Sequence, residues 1–351
     1  MLEERHFLAT TRRGLVWTGI FVGTSLLVLS VAWTKLSQNS KVPASTPNNI
    51  AAGATTRSRN ESTRGEVTKI CFTRSSAIYL RDLTTGQERL VLEKSVFRSS
   101  SNGEEVRLNY SPALSPAGDA IAFHYQTAPY DVDGTFKILD LNSGKVRDFS
   151  ELAGTNSSDP EWSPDGSRIA FKLFKPGAIF NVGILDLATG KWRDITTEPT
   201  LDRDFDVWLD GWMPDGKSII CHNSEYLYRL ALDGKVLFKL PIESFYDRSL
   251  VSTSTRFSLS ADGTRLLFAS GDPDDAAILV YDLNQKSLSR VTPKTIDATE
   301  PRWLPSEKEI LFTCSEKNKT AKTYSICKIG VDGKSLTKMV QNGRYASYST
   351  K

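Results

Sequence analysis

Only three histidines occur in the 351 residues, His6, His124 and His222. That scarcity excludes a metal centre built from several convergent imidazoles. No Gly-x-Ser-x-Gly pentapeptide is present, so the strained nucleophile elbow of serine hydrolases is missing too. Charge of one sign is also lacking over most of the chain. Residues 67–351 carry 36 Lys and Arg against 37 Asp and Glu. A nucleic-acid partner calls for a clearly basic surface, and none is expected here. Finally, the chain has a single long apolar run without formal charge, Leu15 to Trp33.

That run would span about 28 Å as a helix, close to the hydrocarbon thickness of a bilayer. Arg12 and Arg13 abut its start, which favours a cytoplasmic N-terminus over 1–14 and export of the rest. Two readings stay open for 15–33. As a transmembrane signal anchor it is retained. As a signal peptide it is cleaved after Ala32, where Ser30-Val31-Ala32 is small-x-small. Thr11-Arg12-Arg13-Gly14-Leu15 resembles a loose twin-arginine signal. Residues 34–66 are rich in Ser, Thr, Asn, Ala and Pro, which predicts a disordered, flexible tether. The expected location is therefore membrane-anchored with the folded part periplasmic or extracellular, or secreted if the signal is cut.

From residue 67 onward the chain repeats itself. The turn motif reads Leu114-Ser115-Pro116-Ala117-Gly118-Asp119, then Trp162-Ser163-Pro164-Asp165-Gly166-Ser167. It returns as Trp212-Met213-Pro214-Asp215-Gly216-Lys217, as Leu259-Ser260-Ala261-Asp262-Gly263-Thr264, and as Trp303-Leu304-Pro305-Ser306-Glu307-Lys308. Seven residues beyond the proline position stands Phe123, Phe171, Cys221, Phe268 or Phe312. A constant offset inside a variable period marks one shared hairpin with loops of differing length. Proline presets φ for the turn, Asp caps it, and Gly accepts the positive φ. Four short strands follow from each repeat, the last entered through Gly86, Gly144, Gly190, Gly234 or Gly333.

The strand count gives the architecture. Lys69-Ile70-Cys71-Phe72 matches the second strand of the unit, so the first repeat lacks its innermost strand. Tyr345-Ala346-Ser347-Tyr348-Ser349-Thr350 matches that missing strand, with Tyr348 in the Trp162 position. The expectation is an all-β, six-bladed β-propeller of four-stranded blades over 67–351, its C-terminal strand closing blade one.

These motifs resemble the WD-repeat-like propeller family found in the C-terminal domain of the periplasmic protein TolB, and also the propeller of prolyl oligopeptidases. The resemblance implies the fold and a tendency to bind partners, not a named activity. It departs from TolB in having a tether where TolB has an N-terminal α/β domain. It departs from the peptidases in lacking the hydrolase signature.

Candidate residues follow from the unit. Loops between strands two and three share a face with those joining strand four to the next blade. They carry Tyr125, Tyr130, Phe174, Phe180, Trp208, Phe245 and Tyr246, and the 93–109 loop adds Arg98 and Arg107. Aromatic and Arg residues on loops are the usual anchors of recognition, so a protein or peptide partner in the cell envelope is expected. About half of the aromatics are expected to tuck beneath the blade ends. Asp202, Asp204 and Asp206 begin like a calcium loop, but Val207 stands where Gly is needed, so no metal or cofactor is assigned. Asp131, Asp133, Asp272 and Asp274 are shorter fragments of the same kind. His124 and His222 sit in one register two blades apart and read as structural. Cys314 and Cys327 flank a hairpin and suit a cross-strand disulfide in an exported protein, whereas Cys71 and Cys221 read as buried thiols. Asp159, Glu161, Asp210 and Glu300 near the inner strands support an alternative, acid–base work on a saccharide or peptide. The reading preferred is a binding module that is not an enzyme.

Overall fold

The structure is a computed structural model that describes residues 65–93, 96–98, 105–107, 109–126, 134–149, 156–175, 179–196, 206–250, 255–270, 275–317 and 322–350. The proposed anchor at 15–33 and nearly all of the tether lie outside these residues. Among the described residues no helix is long and apolar enough to cross a membrane.

Alternating apolar runs make the strands, as the period of two requires. Blade one contains β1 (Val67–Arg74), β2 (Ala77–Asp82) and β3 (Glu88–Leu92). A short hairpin of β4 (Val96–Arg98) and β5 (Glu105–Arg107) precedes blade two, which holds β6 (Asn109–Leu114), β7 (Ala120–Gln126), β8 (Gly134–Asp140) and β9 (Val146–Asp148). Blade three is β10 (Asn156–Trp162), β11 (Arg168–Lys175), β12 (Ile179–Asp186) and β13 (Trp192–Asp194). Blade four is β14 (Trp208–Trp212), β15 (Ser218–His222), β16 (Tyr226–Ala231) and β17 (Val236–Pro241). Blade five is β18 (Phe257–Leu259), β19 (Arg265–Ala269), β20 (Ile278–Asp282) and β21 (Ser287–Arg290). Blade six is β22 (Ile296–Trp303), β23 (Glu309–Glu316), β24 (Ser325–Gly330) and β25 (Thr337–Gln341), and β26 (Arg344–Thr350) follows. Each blade is an antiparallel meander, and β26 pairs with β1 in the order β26-β1-β2-β3.

Within 93–109, expected to be a loop, the chain forms the β4–β5 hairpin. Val96 stands opposite Arg107, and Arg98 opposite Glu105. The β-branched residues Val96 and Val106 in this stretch supply the strand preference.

The apolar core is divided into packets between neighbouring blades. Phe136 and Phe149 of the second blade pack on Ile169 and Phe171 of the third. Ile70 and Phe72 of the first pack on Leu311 and Ile326 of the sixth. Burying each such Phe fully stabilises by about 1.5–3 kcal/mol. Opposite Phe171 in the ladder stands Gly183, where an added Cβ would lie 2.3 Å from the Phe171 ring. Glycine there is a packing requirement, not a turn.

The turns obey the chemistry expected of them. Asp186 Oδ1 accepts the Thr189 N–H at 2.9 Å, and Gly190 then takes φ +67°. Ser163 Oγ donates to Asp165 Oδ1 at 2.6 Å and accepts the Arg168 N–H at 2.9 Å. The large apolar residues that stay exposed, such as Val146, Leu237 and Leu288, lie on the outermost strands.

Candidate functional site

The innermost strands converge on the propeller axis, and all but β18 carry a local irregularity before the position of the repeated aromatic. Ser111, Asp159 and Glu300 take φ of +49°, +49° and +57°, each followed by proline. Proline cannot donate to a ladder and so belongs at such a bulge. The register shifts there, between Ser158 and Glu161 in β10 and between Thr299 and Arg302 in β22. The residue before the aromatic, or before the Leu in its place in blades two and five, lines the axial cavity. Those residues are Ala113, Glu161, Gly211, Ser258, Arg302 and Ser347.

Two of the six are charged, and they meet. Arg302 donates from Nη1 to Glu161 Oε2 at 3.1 Å and from Nη2 to Oε1 at 2.7 Å. Arg256 donates to Glu161 Oε1 as well. Burial pushes the Glu161 carboxyl up, but the guanidinium charges of Arg302 and Arg256 outweigh it and hold the group below its ordinary range. The same attraction, working against burial, raises Arg302 further. Glu161 stands on blade three and Arg302 on blade six, opposite positions in a ring of six.

The other inner-strand carboxylates are also engaged. Asp159 lies 2.9 Å from Lys172 Nζ. Its burial is outweighed by the Lys172 and Arg256 charges, so it too stays well below the usual carboxylate range. Glu300 Oε2 accepts from Thr313 Oγ1 at 2.8 Å and from the Tyr345 N–H at 3.0 Å. Asp210 accepts the Phe257 N–H at 2.8 Å, and its oxygens lie 2.9 and 3.0 Å from His222 Nδ1. His222 is fully buried between the rings of Trp208 and Phe257.

The repeated aromatics bind the blades to one another. Trp162 Nε1 donates to the Ala113 carbonyl at 2.9 Å, Trp212 Nε1 to the Glu161 carbonyl at 3.0 Å, and Trp303 Nε1 to the Ser258 carbonyl at 3.0 Å. Tyr348 Oη repeats the link, donating to the Trp303 carbonyl at 2.6 Å. Leu114 has no such donor, and there Ser347 Oγ instead accepts the Leu114 N–H at 3.0 Å. These links leave the rings edging a cavity of about 400 Å³ that the Pro116, Pro164 and Pro214 turns also line.

At the opposite end, where strands two and three connect, the predicted aromatics separate into two groups. Tyr125 is half-buried with Lys137 Nζ 3.9 Å from its ring centre. Phe174 and Phe180 pack on one hairpin with ring centres 5.2 Å apart and planes tilted by 51°, with Lys172 beside Phe180. Trp208 is half-buried against His222. These four occupy consecutive blades two, three and four. Phe245, in contrast, is buried among Phe257, Phe268 and Tyr281 and belongs to the core between blades four and five. The one-turn helix Ile242–Ser244 leads the chain inward just before it. Tyr246 is half-buried, edge-on to Phe268, with its Oη 3.0 Å from Ser270 Oγ. Tyr130, Asp202 and Asp204 lie outside the described residues, as do Asp131, Asp133, Asp272 and Asp274. Arg98 and Arg107 sit on the backbone of β4 and β5.

Asp206 has a local task. Its Oδ1 accepts the Phe180 N–H at 2.8 Å and ties the chain entering blade four to blade three. Among the described residues no group of three or more His, Cys, Asp or Glu side chains is placed to hold a metal. Cys314 and Cys327 are joined by a disulfide with Cα atoms 6.0 Å apart, while Cys71 and Cys221 are buried free thiols.

The sequence reading named Glu161 but not Arg256 or Arg302. The signal was available in the repeat alignment. Opposite charges occupy the position before the aromatic in two repeats three apart, and in a six-membered ring such repeats face each other.

No protein-family model matches the chain. An uncharacterized protein of Agrobacterium fabrum is 27% identical over 113 residues, which cover 28% of this chain and 36% of that protein, well under two thirds of its length. TolB from Acinetobacter baumannii superposes with a TM-score of 0.56 at 18% identity, covering 81% of this chain and 67% of that one. A candidate TolB from Agrobacterium tumefaciens gives 0.53 at 17% identity over 82% of this chain and all of that one (100%). Hydrazine synthase of Kuenenia stuttgartiensis gives 0.54 at 12% identity over 82% of this chain and 47% of that one. The likeness is one of fold, a TolB-like propeller.

Proposed function

We propose that this TolB-like propeller is a protein- or peptide-binding module held at the outer side of a membrane by residues 15–33. The observation that carries the binding role is the row of half-buried aromatics on consecutive blades, Tyr125, Phe174 with Phe180, and Trp208, two of its stations flanked by the Lys137 and Lys172 ammonium groups. Aromatic rings with a cation alongside offer apolar area and a polar handle together, the composition of recognition anchors. Fold likeness to TolB proteins supports a partner in the cell envelope. The charge pattern of 1–33 supports the anchor.

The acid–base alternative fits less well. A general acid needs a carboxyl whose pKa is raised towards neutrality. Asp159 and Glu161 are pushed the other way by their cationic partners.

The test is capture of partners from an envelope extract by the full chain, comparing wild type with Tyr125→Ala and Phe180→Ala. An exposed outer-strand variant, Leu237→Ala, serves as control. Partners lost with the first two and kept with the third support this face. Partners unaffected by both place the interface elsewhere. Turnover of a glycan or peptide abolished by Asp159→Asn would favour the enzyme instead.

A further inference from the structure

The axial cavity holds guanidinium donors beyond those its carboxylates use. Of its acids, Asp210 is taken by His222 and the Phe257 N–H, and Glu307 by Arg265 and the Ala261 N–H. Glu161 stands between Arg256 and Arg302, one carboxylate bonded to two guanidinium groups. Arg302 spends both terminal nitrogens on it. Arg256 lines the cavity with 22% of its side chain exposed, and its Nη1 donates to Glu161 Oε1. Guanidinium carries five N–H donors in a planar fork that matches a carboxylate. Donors on Arg256 therefore remain for a second anion.

The walls around that charge are apolar and flat. The Trp162 and Trp212 rings line the cavity with their N–H groups already bonded to the preceding blade. An entering group meets ring surface there, not donors. Pro116, Pro164 and Leu304 continue the lining. A space of about 400 Å³ suits a compact organic molecule.

We propose that the axial cavity binds a small organic carboxylate, its anionic end on Arg256 beside Glu161 and its apolar body against Trp162 and Trp212. The site is independent of the aromatic row at the other end of the propeller, and a partner there neither requires nor excludes it. A second carboxylate would take up Arg256 donors that Glu161 leaves unused. Its pairing would be charge-assisted, the stronger class of hydrogen bond.

The full chain is titrated with phenylacetate by calorimetry and by quenching of tryptophan fluorescence. Controls are 2-phenylethanol, which has the ring without the charge, and 2-phenylethylamine, which reverses the charge. Expected is saturable binding of phenylacetate well above both controls. Arg256→Gln should weaken it by about tenfold or more. Glu161→Gln removes the competing carboxylate and should tighten it several-fold. Arg256→Lys, which keeps a charge but loses the fork, should fall between wild type and Arg256→Gln and covers a failure of the latter to fold. Equal binding of 2-phenylethanol, no saturable binding of phenylacetate, or affinity unchanged in Arg256→Gln would each overturn the proposal.

Discussion

Glu161 and Arg302 grip each other across the axis of the propeller through two parallel hydrogen bonds of 2.7 and 3.1 Å, from blades that stand opposite in the ring. Blade packing and the tryptophan links join neighbours only around the circumference. This pair joins across a diameter, and Arg256 adds a third blade. Removing one partner strands a largely buried charge, which costs more than the pair contributes net. Glu161→Gln or Arg302→Met should each lower stability by about 2–4 kcal/mol in urea denaturation. The double variant should lose clearly less than the sum of the two. Strict additivity would show that the two side chains do not interact in solution.

Acid should loosen the same clamp. A carboxyl held below its unfolded value stabilises the fold above that value, and the contribution fades as pH falls through the folded pKa. Glu161 is lowered from 4.5. Asp165 is lowered from 3.8 to about 2, chiefly by the Ser163 hydroxyl and then the Ser167 N–H. Both therefore cost stability as the pH drops below about 4.5 towards 2. Glu161→Gln resembles the protonated wild type. The gap in urea midpoint between the two should shrink steadily over that range, and parallel curves would remove Glu161 from the acid response.

How far the sequence disclosed this varies by element. The hairpin of each blade was legible because Pro, Asp and Gly at fixed offsets act through local geometry alone, as the Ser163–Asp165 bond shows. The division into four-stranded blades followed from the offset between each turn and its Phe. Phe245 was misplaced because nothing local distinguishes a loop aromatic that faces water from one that turns inward. Its position is decided by Phe257, Phe268 and Tyr281 on the next blade. Arg256 was missed for a similar reason. Its partner lies 95 residues away in the chain, and only the ring brings them together.

The repeated tryptophan is the aromatic of an inner strand, and its indole N–H also bonds the preceding blade. Trp212→Phe keeps the ring in place but deletes the donor to the Glu161 carbonyl, at 3.0 Å. A single hydrogen bond of this type contributes about 1 kcal/mol net. The substitution should therefore lower stability by about that much, with tryptophan-to-phenylalanine shape loss adding to it. Leu114→Phe, at a position without this link, should show no comparable loss of an interblade bond. Amide exchange at the junction of blades three and four is the measurement, since faster exchange confined there marks the staple. Uniform exchange across the ring would deny it that role.

The two pairs of cysteines should behave differently towards an alkylating reagent. Cys314 and Cys327 are bonded to each other across β23 and β24, 13 residues apart in sequence. Closing a loop of that size restricts the unfolded chain by about 3 kcal/mol, less any strain in the folded state. Cys71 is buried, and that burial pushes its thiol up to about 12, while Cys221 is raised by the same cause. In the folded protein neither presents a thiolate, so alkylation should fail. Unfolded without reductant, the chain should take up two labels, and after reduction four. The Cys314→Ser/Cys327→Ser variant should melt earlier and label at Cys71 and Cys221 alone. Four labels on the unreduced, unfolded wild type would show that the bond does not form, and the lower melting point of the variant would then need another cause.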